Sequence, residues 1–372
     1  MMRCDDSAQE WTEQDCKYMA EALRLAANGL YSSDPNPRVG CVLVAGGEIV
    51  GKGWHVRAGQ AHAEVNALAE AGLRSQGATA YVTLEPCSHQ GRTGPCADAL
   101  IKAGVAGVVI GMKDPNPLVA GNGVRRLVDA NISVRVGLLS EQANALNPGF
   151  IKRMSSGRPF VRIKMAMSLD GRTAMASGES QWITGPHARA DVQRLRARSS
   201  VVLTGSGTVL SDNPAMTVRD SELRSNDGIL RQPIRAVFDW RGKLSGDEQF
   251  FNDSAKVLHF CGVADKKMPA WVESIPLSFD GDMPCLDDVM LVLAKHECNE
   301  VLVEAGAVMT GAFIAQQCWD ELVVYMAPKL MGSRARPLFD LGLDSMNEAH
   351  GLKLTETRMV GDDLRLTYVP AR

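Results

Sequence analysis

The residue types from which a catalytic zinc site is built occur in three short segments of the chain. They are His62-Ala63-Glu64, Pro86-Cys87 and Pro95-Cys96. Zinc prefers nitrogen and sulfur ligands in a tetrahedron, and a site with three protein ligands leaves one position for water, which the metal acidifies. We therefore predict His62, Cys87 and Cys96 as metal ligands. Glu64 remains free and is predicted to be the catalytic group that moves protons.

A closed structural zinc site, or plain buried thiols, is the alternative to a catalytic site. A structural site needs a fourth ligand, and His89 is the nearby candidate, although its place between the two cysteines also suits contact with substrate or solvent. The spacing favours catalysis, because H-x-E followed by Pro-Cys and a second cysteine is the signature of zinc nucleobase deaminases. Here the second cysteine follows the first by nine residues rather than three.

Length, charge and cysteine use restrict the class of protein. The 372 residues predict two domains, which we place at 1–155 and 156–372. A net charge of −3 without a basic run argues against nucleic-acid binding. The apolar runs are too short for a bilayer, and the polar N-terminus lacks a signal-peptide pattern, so we expect a cytoplasmic protein without membrane contact. Nine scattered cysteines indicate a reducing compartment.

The elements expected to position the zinc ligands alternate between strand and helix. His62 and Glu64 open a helix at 63–71, Cys87 follows a strand at 80–84, and Cys96 opens a helix at 96–103. A helix N-terminus lowers the pKa of a thiol and favours the thiolate that zinc requires. The alternation predicts a layered α/β domain. Its other expected elements are helices at 15–28 and 124–131 and strands at 39–44, 48–54, 105–111 and 133–137.

The second half of the chain has glycine-rich turns after strands instead of a metal motif. These turns are 204–209 and 304–311, and the second opens a helix, whose backbone N–H groups suit a pyrophosphate. Such a turn alone is a weak signal, and the G-x-G-x-x-G pattern with an acidic partner is missing. We expect a linker at 153–159 and a mobile loop at 220–232. The expected elements are a helix at 186–198 and strands at 160–166, 201–204, 234–238, 256–260, 301–304, 321–326 and 364–369.

Longer motifs in both halves resemble the bifunctional deaminase/reductase family of riboflavin biosynthesis. In the first half they are Asn36-Pro37-Arg38-Val39-Gly40, the zinc segments with the intervening Cys-loop, and Asp114-Pro115-Asn116-Pro117. In the second half they are Ser168-Leu169-Asp170-Gly171-Arg172, Gly178 to Thr184, Thr204-Gly205 and Glu304-Ala305-Gly306. Gly94 and Ala305 depart from the family pattern, which has Pro and Gly there. The resemblance implies an α/β protein with an N-terminal cytidine-deaminase-like three-layer domain and a C-terminal dihydrofolate-reductase-like domain.

The family resemblance also implies cofactors, substrates and site residues. The cofactors are Zn²⁺ and NADPH, and the resemblance places Asn36 and the 114–116 turn at the deaminase substrate. Residues implied to line the NADPH site are Ala166, Trp182, Thr208, Asp212, Gly306, Ala307, Val308, Met309, Thr310 and Gly311. Residues implied to hold the reductase substrate are Ser180, Arg196, Met216, Arg219 and Glu304. Arg196 and Arg219 suit a phosphate clamp, and Lys164 and Glu304 are candidates for electrostatic or proton help.

By this resemblance the first domain removes ammonia from 2,5-diamino-6-(5-phosphoribosylamino)pyrimidin-4(3H)-one. The second then reduces the ribosyl side chain of 5-amino-6-(5-phosphoribosylamino)uracil to ribityl with NADPH. The expected partners are these small-molecule phosphoribosylaminopyrimidines and other copies of the chain, as a dimer or tetramer. Two alternatives stay open at this point, a zinc deaminase acting on nucleic acid or another nucleoside and a non-catalytic zinc-structured scaffold.

Overall fold

The protein forms two compact units, residues 1–155 and 156–372, in a computed structural model. The model describes residues 10–88, 94–117, 119–225, 227–252, 255–262, 268–280 and 283–371. Most of the loop between Cys87 and Cys96, with His89, therefore lies outside the described residues, as does most of the N-terminal extension. Within the described part of the chain, no helix is both long and apolar enough to cross a membrane.

The first unit is built on one five-stranded sheet of order β2-β1-β3-β4-β5. Strand β1 is antiparallel to β2 and β3, whereas β3, β4 and β5 are mutually parallel. Its strands are β1 (Gly40–Ala45), β2 (Glu48–Trp54), β3 (Thr79–Leu84), β4 (Gly107–Met112) and β5 (Ser133–Val136). Its helices are α1 (Glu13–Ala27), α2 (Ala63–Ala71), α3 (Cys96–Ala103), α4 (Asn122–Asp129), α5 (Ser140–Leu146) and α6 (Pro148–Ser156).

Apolar residues on both faces of this sheet explain its three layers. Leu43 points to one face, where it packs with residues of α2, α3 and α4. Val42 points to the other face and packs with residues of α1. Strand residues alternate between faces, so a strand that is apolar at successive positions needs helices on both sides.

Glycines of β2 allow α2 to lie directly on the sheet. A Cβ at Gly53 would be 2.2 Å from the carbonyl oxygen of Ala63, and one at Gly51 would be 2.3 Å from that of Ala67. Helix α2 can therefore approach only because these strand positions lack side chains. This close packing fixes the start of α2, where His62 and Glu64 lie.

The second unit is built on a nine-stranded sheet of order β11-β10-β9-β8-β14-β6-β15-β18-β17. The strands from β11 to β15 in this order are parallel to one another. Strand β18 is antiparallel to both of its neighbours, β15 and β17. The strands are β6 (Phe160–Ser168), β7 (Arg172–Ala174), β8 (Val201–Gly205), β9 (Ile234–Asp239), β10 (Val257–Cys261), β11 (Val272–Pro276), β12 (Phe279–Asp280), β13 (Met283–Pro284), β14 (Glu300–Val303), β15 (Glu321–Ala327), β16 (Arg336–Pro337), β17 (Leu352–Val360) and β18 (Asp363–Pro370). The helices are α7 (Pro186–Arg198), α8 (Ser206–Asp212), α9 (Leu286–Lys295) and α10 (Ala307–Ala315).

Helices cover both faces of this larger sheet as well. Residues of α9 and α10 pack with one side of the sheet, and residues of α7 and α8 pack with the other. The carboxyl ends of the neighbouring parallel strands β8, β14 and β6 meet at one edge. In open α/β sheets, ligands bind outside the carboxyl ends of the strands. This edge is therefore the expected place for a cofactor.

The structure corrects several predictions of secondary structure. The stretch 153–159 was expected as a linker, but helix α6 continues to Ser156 and Phe150 and Ile151 pack against the core of the first unit. The described part of the expected loop 220–232 contains a short 3-10 turn at Ser221–Leu223, and Gln232 binds both the N–H and the carbonyl of Val218. The mobility of this loop stays a prediction. Helices α5, α8 and α9 and the long strand β17 were not predicted.

Candidate active sites

The three predicted zinc ligands come together in the first unit. Their donor atoms lie within 4.8 Å of one another. His62 Nδ1 is 3.2 Å from Cys96 Sγ and 3.6 Å from Cys87 Sγ. Cys87 follows β3, and Cys96 is the first residue of α3. One strand end and two helix starts therefore supply the cluster.

Hydrogen bonds within the cluster favour a thiolate at Cys87. The neighbouring Cys96 and His62 lower the pKa of the Cys87 thiol to about 4, and the Cys96 backbone N–H also donates to this sulfur at 3.3 Å. The pKa of Cys96 is raised because its thiol shares a proton with Cys87 and is buried. The hydrogen bond with Cys87 raises the pKa of His62. A cation between the three groups would replace these shared protons.

Glu64 is buried beside the cluster. Only 3% of this residue is exposed. Burial raises the pKa of the Glu64 carboxyl to about 7, and the Cys87 charge adds to this shift. The carboxyl also meets the Cys96 thiol in a hydrogen bond. The sequence prediction of a carboxyl group beside the metal ligands agrees with this position.

Asn36 and His55 form a second layer next to His62. The Asn36 amide nitrogen is 3.0 Å from His55 Nε2, and His55 Nδ1 is 3.1 Å from the carbonyl oxygen of Ala61. The His55 and His62 rings meet edge to face with centroids 5.1 Å apart. Burial lowers the pKa of His55. The neutral ring can therefore link Asn36 to the turn that carries His62.

Glu85, a buried carboxylate two residues before Cys87, was not predicted as a site residue. It accepts backbone hydrogen bonds from Asp114, Gly121 and Val124. Its hydrogen-bond partners lie 29 to 39 positions away in the sequence, and no local sequence pattern predicts them.

In the second unit the structure brings Arg196 and Glu304 together. Arg196 Nε donates to Glu304 Oε1 at 2.6 Å, and Nη2 donates to Oε2 at 2.9 Å. Both residues are buried. Although burial raises the pKa of Glu304, the Arg196 charge outweighs it and lowers the pKa overall, with help from Lys164 and Arg219. Arg196 was expected to clamp a phosphate, but in this structure its bidentate fork is occupied by Glu304.

The other predicted reductase-substrate residues lie around this ion pair. Met216 is buried with a φ of 52°, and its sulfur accepts from Arg196 Nη2 at 3.3 Å. Arg219 is exposed, and its backbone N–H donates to the side chain of Gln193. The Ser180 hydroxyl donates to Asp212 at 3.3 Å. Burial lowers the pKa of Lys164, whose charge faces Glu304 and Arg196.

The predicted NADPH residues divide into open and buried positions. Gly306 is the N-cap of α10, and a Cβ there would meet no atom within 4 Å. Val308 is 67% exposed, but Thr310 is buried and a Cβ at Gly311 would be 2.1 Å from the carbonyl oxygen of Asp340. Of the residues 306–311, only those in the first turn of α10 are therefore open to a cofactor.

The remaining predicted cofactor residues lie on β6, α8 and the segment before α7. Ala166 is half-buried on β6, and Thr208 and Asp212 belong to α8. Trp182 is 62% exposed, and the Arg189 guanidinium lies 4.6 Å from its ring centroid. A large exposed aromatic ring beside a cation suits stacking on a planar ligand.

Two family models match the chain, one in each unit. The cytidine and deoxycytidylate deaminase zinc-binding region matches residues 12–112, and the RibD C-terminal domain matches residues 159–366. A zinc-binding deaminase domain followed by a reductase domain of dihydrofolate-reductase-like fold defines a bifunctional deaminase and reductase.

Full-length relatives share this organisation. Riboflavin biosynthesis protein RibD of Haemophilus influenzae is 49% identical, with 97% of this chain and 99% of the relative covered. RibD of Escherichia coli is 50% identical over 96% of this chain and 100% of the relative. The solved structure of Acinetobacter baumannii RibD, form 1, superposes with a TM-score of 0.90 at 43% identity, covering 97% and 99% of the two chains. The Thermotoga maritima structure, described as a diaminohydroxyphosphoribosylaminopyrimidine deaminase and 5-amino-6-(5-phosphoribosylamino)uracil reductase, has a TM-score of 0.86 at 34% identity, covering 96% and 99%.

The chain belongs to the RibD family of riboflavin biosynthesis proteins. It is a bifunctional enzyme that combines a deaminase with a reductase, and its cofactors are Zn²⁺ and NADPH. The predicted family, fold class, activity and cofactors are thereby confirmed.

Proposed function

We propose that the first unit deaminates 2,5-diamino-6-(5-phosphoribosylamino)pyrimidin-4(3H)-one and that the second reduces the ribosyl group of the resulting uracil to ribityl with NADPH. The observation that carries the proposal is the His62, Cys87 and Cys96 cluster with the buried carboxyl of Glu64 beside it. The description of the Thermotoga maritima relative as a deaminase and reductase of these pyrimidines supports the choice of substrates.

The donor set of the cluster fits zinc. Tetrahedral bonds of the usual zinc–nitrogen and zinc–sulfur lengths separate the two donor atoms by about 3.6 Å. The distances from His62 Nδ1 to the two sulfurs, 3.2 and 3.6 Å, are close to this separation. When bound, zinc supplies Lewis acidity and lowers the pKa of a water molecule at its open position. We assign His62, Cys87 and Cys96 as its ligands.

Glu64 is proposed to move protons during deamination. Its carboxyl is buried next to the cluster and forms a hydrogen bond with the Cys96 thiol. A carboxyl placed there can take a proton from the attacking water and later deliver one to the leaving ammonia. Asn36 is proposed to hold the pyrimidine or its ribosyl phosphate, because it is fixed beside His62 through His55.

In the second unit, NADPH is proposed to lie across the carboxyl ends of β6, β8 and β14. The open backbone at Gly306 and the first turn of α10 can bind its phosphates, since helix N-terminal N–H groups lack partners within the helix. NADPH supplies the hydride when bound. The chain needs no nucleophile for this step, and its residues position the two reactants. Proposed contacts with the cofactor are Ala166, Trp182, Thr208, Asp212 and the 306–309 turn.

Arg219 is the proposed phosphate contact of the reductase substrate. Its side chain is exposed and close enough for its charge to lower the pKa of Glu304, whereas Arg196 is already paired. Arg196 is then proposed to fix Glu304, which faces Lys164 and the substrate. Ser180 and Met216 complete the proposed pocket. We further propose that the enzyme works in the cytoplasm as a homo-oligomer.

Ammonia release and NADPH oxidation measured separately test the proposal. The wild-type enzyme is expected to release ammonia from the diaminopyrimidine substrate and to oxidise NADPH when given the deaminated product. A zinc chelator is expected to stop the first reaction and spare the second, because the cluster lies in the first unit. Ammonia release that persists after complete zinc removal would contradict the zinc assignment. Release from a nucleic acid but not from this substrate would favour the alternative.

A further inference from the structure

Glu85 is a buried carboxylate that accepts three hydrogen bonds from backbone N–H groups of one distant segment. Its Oε2 accepts from Asp114 and Gly121, each at 3.1 Å, and its Oε1 accepts from Val124 at 3.2 Å. The residue is 3% exposed. A buried carboxylate needs several hydrogen bonds to offset its desolvation, and these three provide them.

Two of the three N–H groups belong to the start of helix α4. Gly121 is the N-cap of this helix, and it has no side chain that could accept a hydrogen bond from the first turn. Glu85 therefore takes the place of a local capping residue from 36 positions away. The negative charge also lies at the positive end of the helix dipole. The third N–H, that of Asp114, belongs to the turn that follows β4.

Helix α4 also lies directly against the backbone that carries Cys87. A Cβ at Gly123 would be 2.1 Å from the carbonyl oxygen of Pro86. One turn further on, Arg126 donates to the carbonyl oxygen of Ser88 at 3.2 Å and to Asp98 of α3 at 2.7 Å. Both residues that flank Cys87 are thus contacted by α4.

The topology places this segment at the same sheet edge as the His62, Cys87 and Cys96 cluster. Strands β3 and β4 are parallel neighbours with Leu84 opposite Met112. Asp114 therefore leaves the sheet beside Pro86, at the edge where the zinc ligands lie. Asp114 accepts the backbone N–H of Asn116 at 2.8 Å, which folds this turn tightly. Segments after the carboxyl ends of neighbouring parallel strands form ligand sites.

We propose that Glu85 is a positioning residue for deamination, which holds the Asp114–Asn116 turn and the start of α4 as one wall of the pyrimidine pocket. This inference rests on the proposed deaminase function of the first unit. The three hydrogen bonds of the Glu85 carboxylate all come from backbone N–H groups. Its effect passes through the backbone that it binds.

The test uses Glu85→Gln in the full-length zinc enzyme. The amide keeps the size of the side chain, but its NH₂ group cannot accept a hydrogen bond, so at least one of the three is lost. The deaminase KM is expected to rise about tenfold or more with kcat little changed. The pocket wall contacts the substrate equally in the ground state and the transition state, and the loss of such a contact raises KM alone. Zinc content and reductase activity are expected to stay at the wild-type level. Hydrogen exchange of peptides covering 113–125 is expected to accelerate.

Asp15→Asn is the matched control, since it alters another buried carboxylate of the same unit on the opposite face of the sheet. It should lower stability without a change in deaminase KM. Glu85→Asp retains the charge and is expected to recover part of the KM, which keeps the test valid if Glu85→Gln folds poorly. An unchanged KM despite faster exchange, or a kcat loss that follows zinc loss, would overturn the inference. If instead the wild-type enzyme releases no ammonia, the proposed function fails rather than the role of Glu85.

Discussion

Individual side chains in the deaminase site act through burial. Glu64 and Glu85 are each 3% exposed, yet their surroundings differ. Glu64 lies among thiols and an imidazole, and its pKa is raised to about 7, whereas Glu85 is surrounded by backbone N–H groups. The first environment suits a group that exchanges protons, and the second suits a group that holds a chain segment in place.

Glu64→Gln is expected to retain the bound zinc and the native fold. Its deamination rate is expected to fall by about 10²–10⁴-fold or more, because the proton-moving group is replaced by a neutral amide. Ammonia release gives the rate, and elemental analysis gives the zinc content. Glu70→Gln is the control, since Glu70 is exposed on the same helix. Near-normal ammonia release from Glu64→Gln would show that another group moves the proton.

Arg219→Ala is expected to weaken the reductase and spare the deaminase. Loss of a charge-assisted hydrogen bond to phosphate costs roughly 1.5–3 kcal/mol, so kcat/KM should fall by about ten- to more than a hundredfold. NADPH titration and steady-state kinetics separate the two ligands. The exposed Arg194 on α7 provides Arg194→Ala as control. A weaker NADPH affinity with an unchanged substrate KM would assign Arg219 to the cofactor.

The clustering of His62, Cys87 and Cys96, the proposed zinc ligands, could be predicted from the sequence because their residue types and spacing are specific to one chemistry. The partner of Arg196 could not be predicted, because Glu304 lies 108 positions away and the four arginines of α7 look alike in the sequence. Burial distinguishes them, and burial depends on which face of α7 meets the sheet. A phosphate contact was therefore assigned to a residue that the structure pairs with Glu304.

At the scale of elements, close backbone contact between β2 and α2 positions His62, the first proposed zinc ligand. Gly53→Ala is expected to destabilise the first unit by about 1–3 kcal/mol, because its new methyl group meets backbone that cannot move aside. Zinc affinity should fall with it, since His62 lies at the start of α2. Thermal unfolding and zinc competition measure the two effects. Gly342→Ala, at a glycine with open space around it, should change neither.

Elements with clear local signals were predicted within a residue or two. Helices α2, α3 and α7 and strand β2 have the predicted bounds, because Gly72 and Gly104 end two of the helices and Pro186 begins another. The end of α6 was missed because its Ser155-Ser156-Gly157 composition is typical of a linker. Tertiary packing of Phe150 and Ile151 overrides that local preference. Strand β17 was missed because its residues are exposed and mostly polar.

For the whole molecule, Asp15 connects pH to stability of the first unit. Burial alone would raise its pKa, but hydrogen bonds from Tyr81, Arg135 and Thr12 outweigh this effect and lower it to about 2. A depressed pKa stabilises the fold above the unfolded-state value near 4, and this stabilisation disappears as pH falls through 2. Asp15→Asn should therefore cost about 2 kcal/mol at pH 7 and progressively less below pH 4.

Hydrogen exchange of peptides from α1, compared between Asp15→Asn and wild type at each pH, measures this difference. Exchange that accelerates equally at pH 3 and pH 7 would contradict the assignment of the effect to the ionised carboxylate. Because the chain has two units, a single unfolding midpoint would not isolate it.

The strand order of the larger sheet has a consequence for biosynthesis. Strand β14 lies between β6 and β8, although the chain makes β8, β9, β10 and β11 before it. On the ribosome, β6 and β8 thus emerge without the neighbour that joins them, and the gap closes only after residue 303 is made. The deaminase unit, in contrast, is contiguous and complete by residue 155. The nascent chain therefore contains every residue of the deaminase unit before the central strand of the reductase sheet is made.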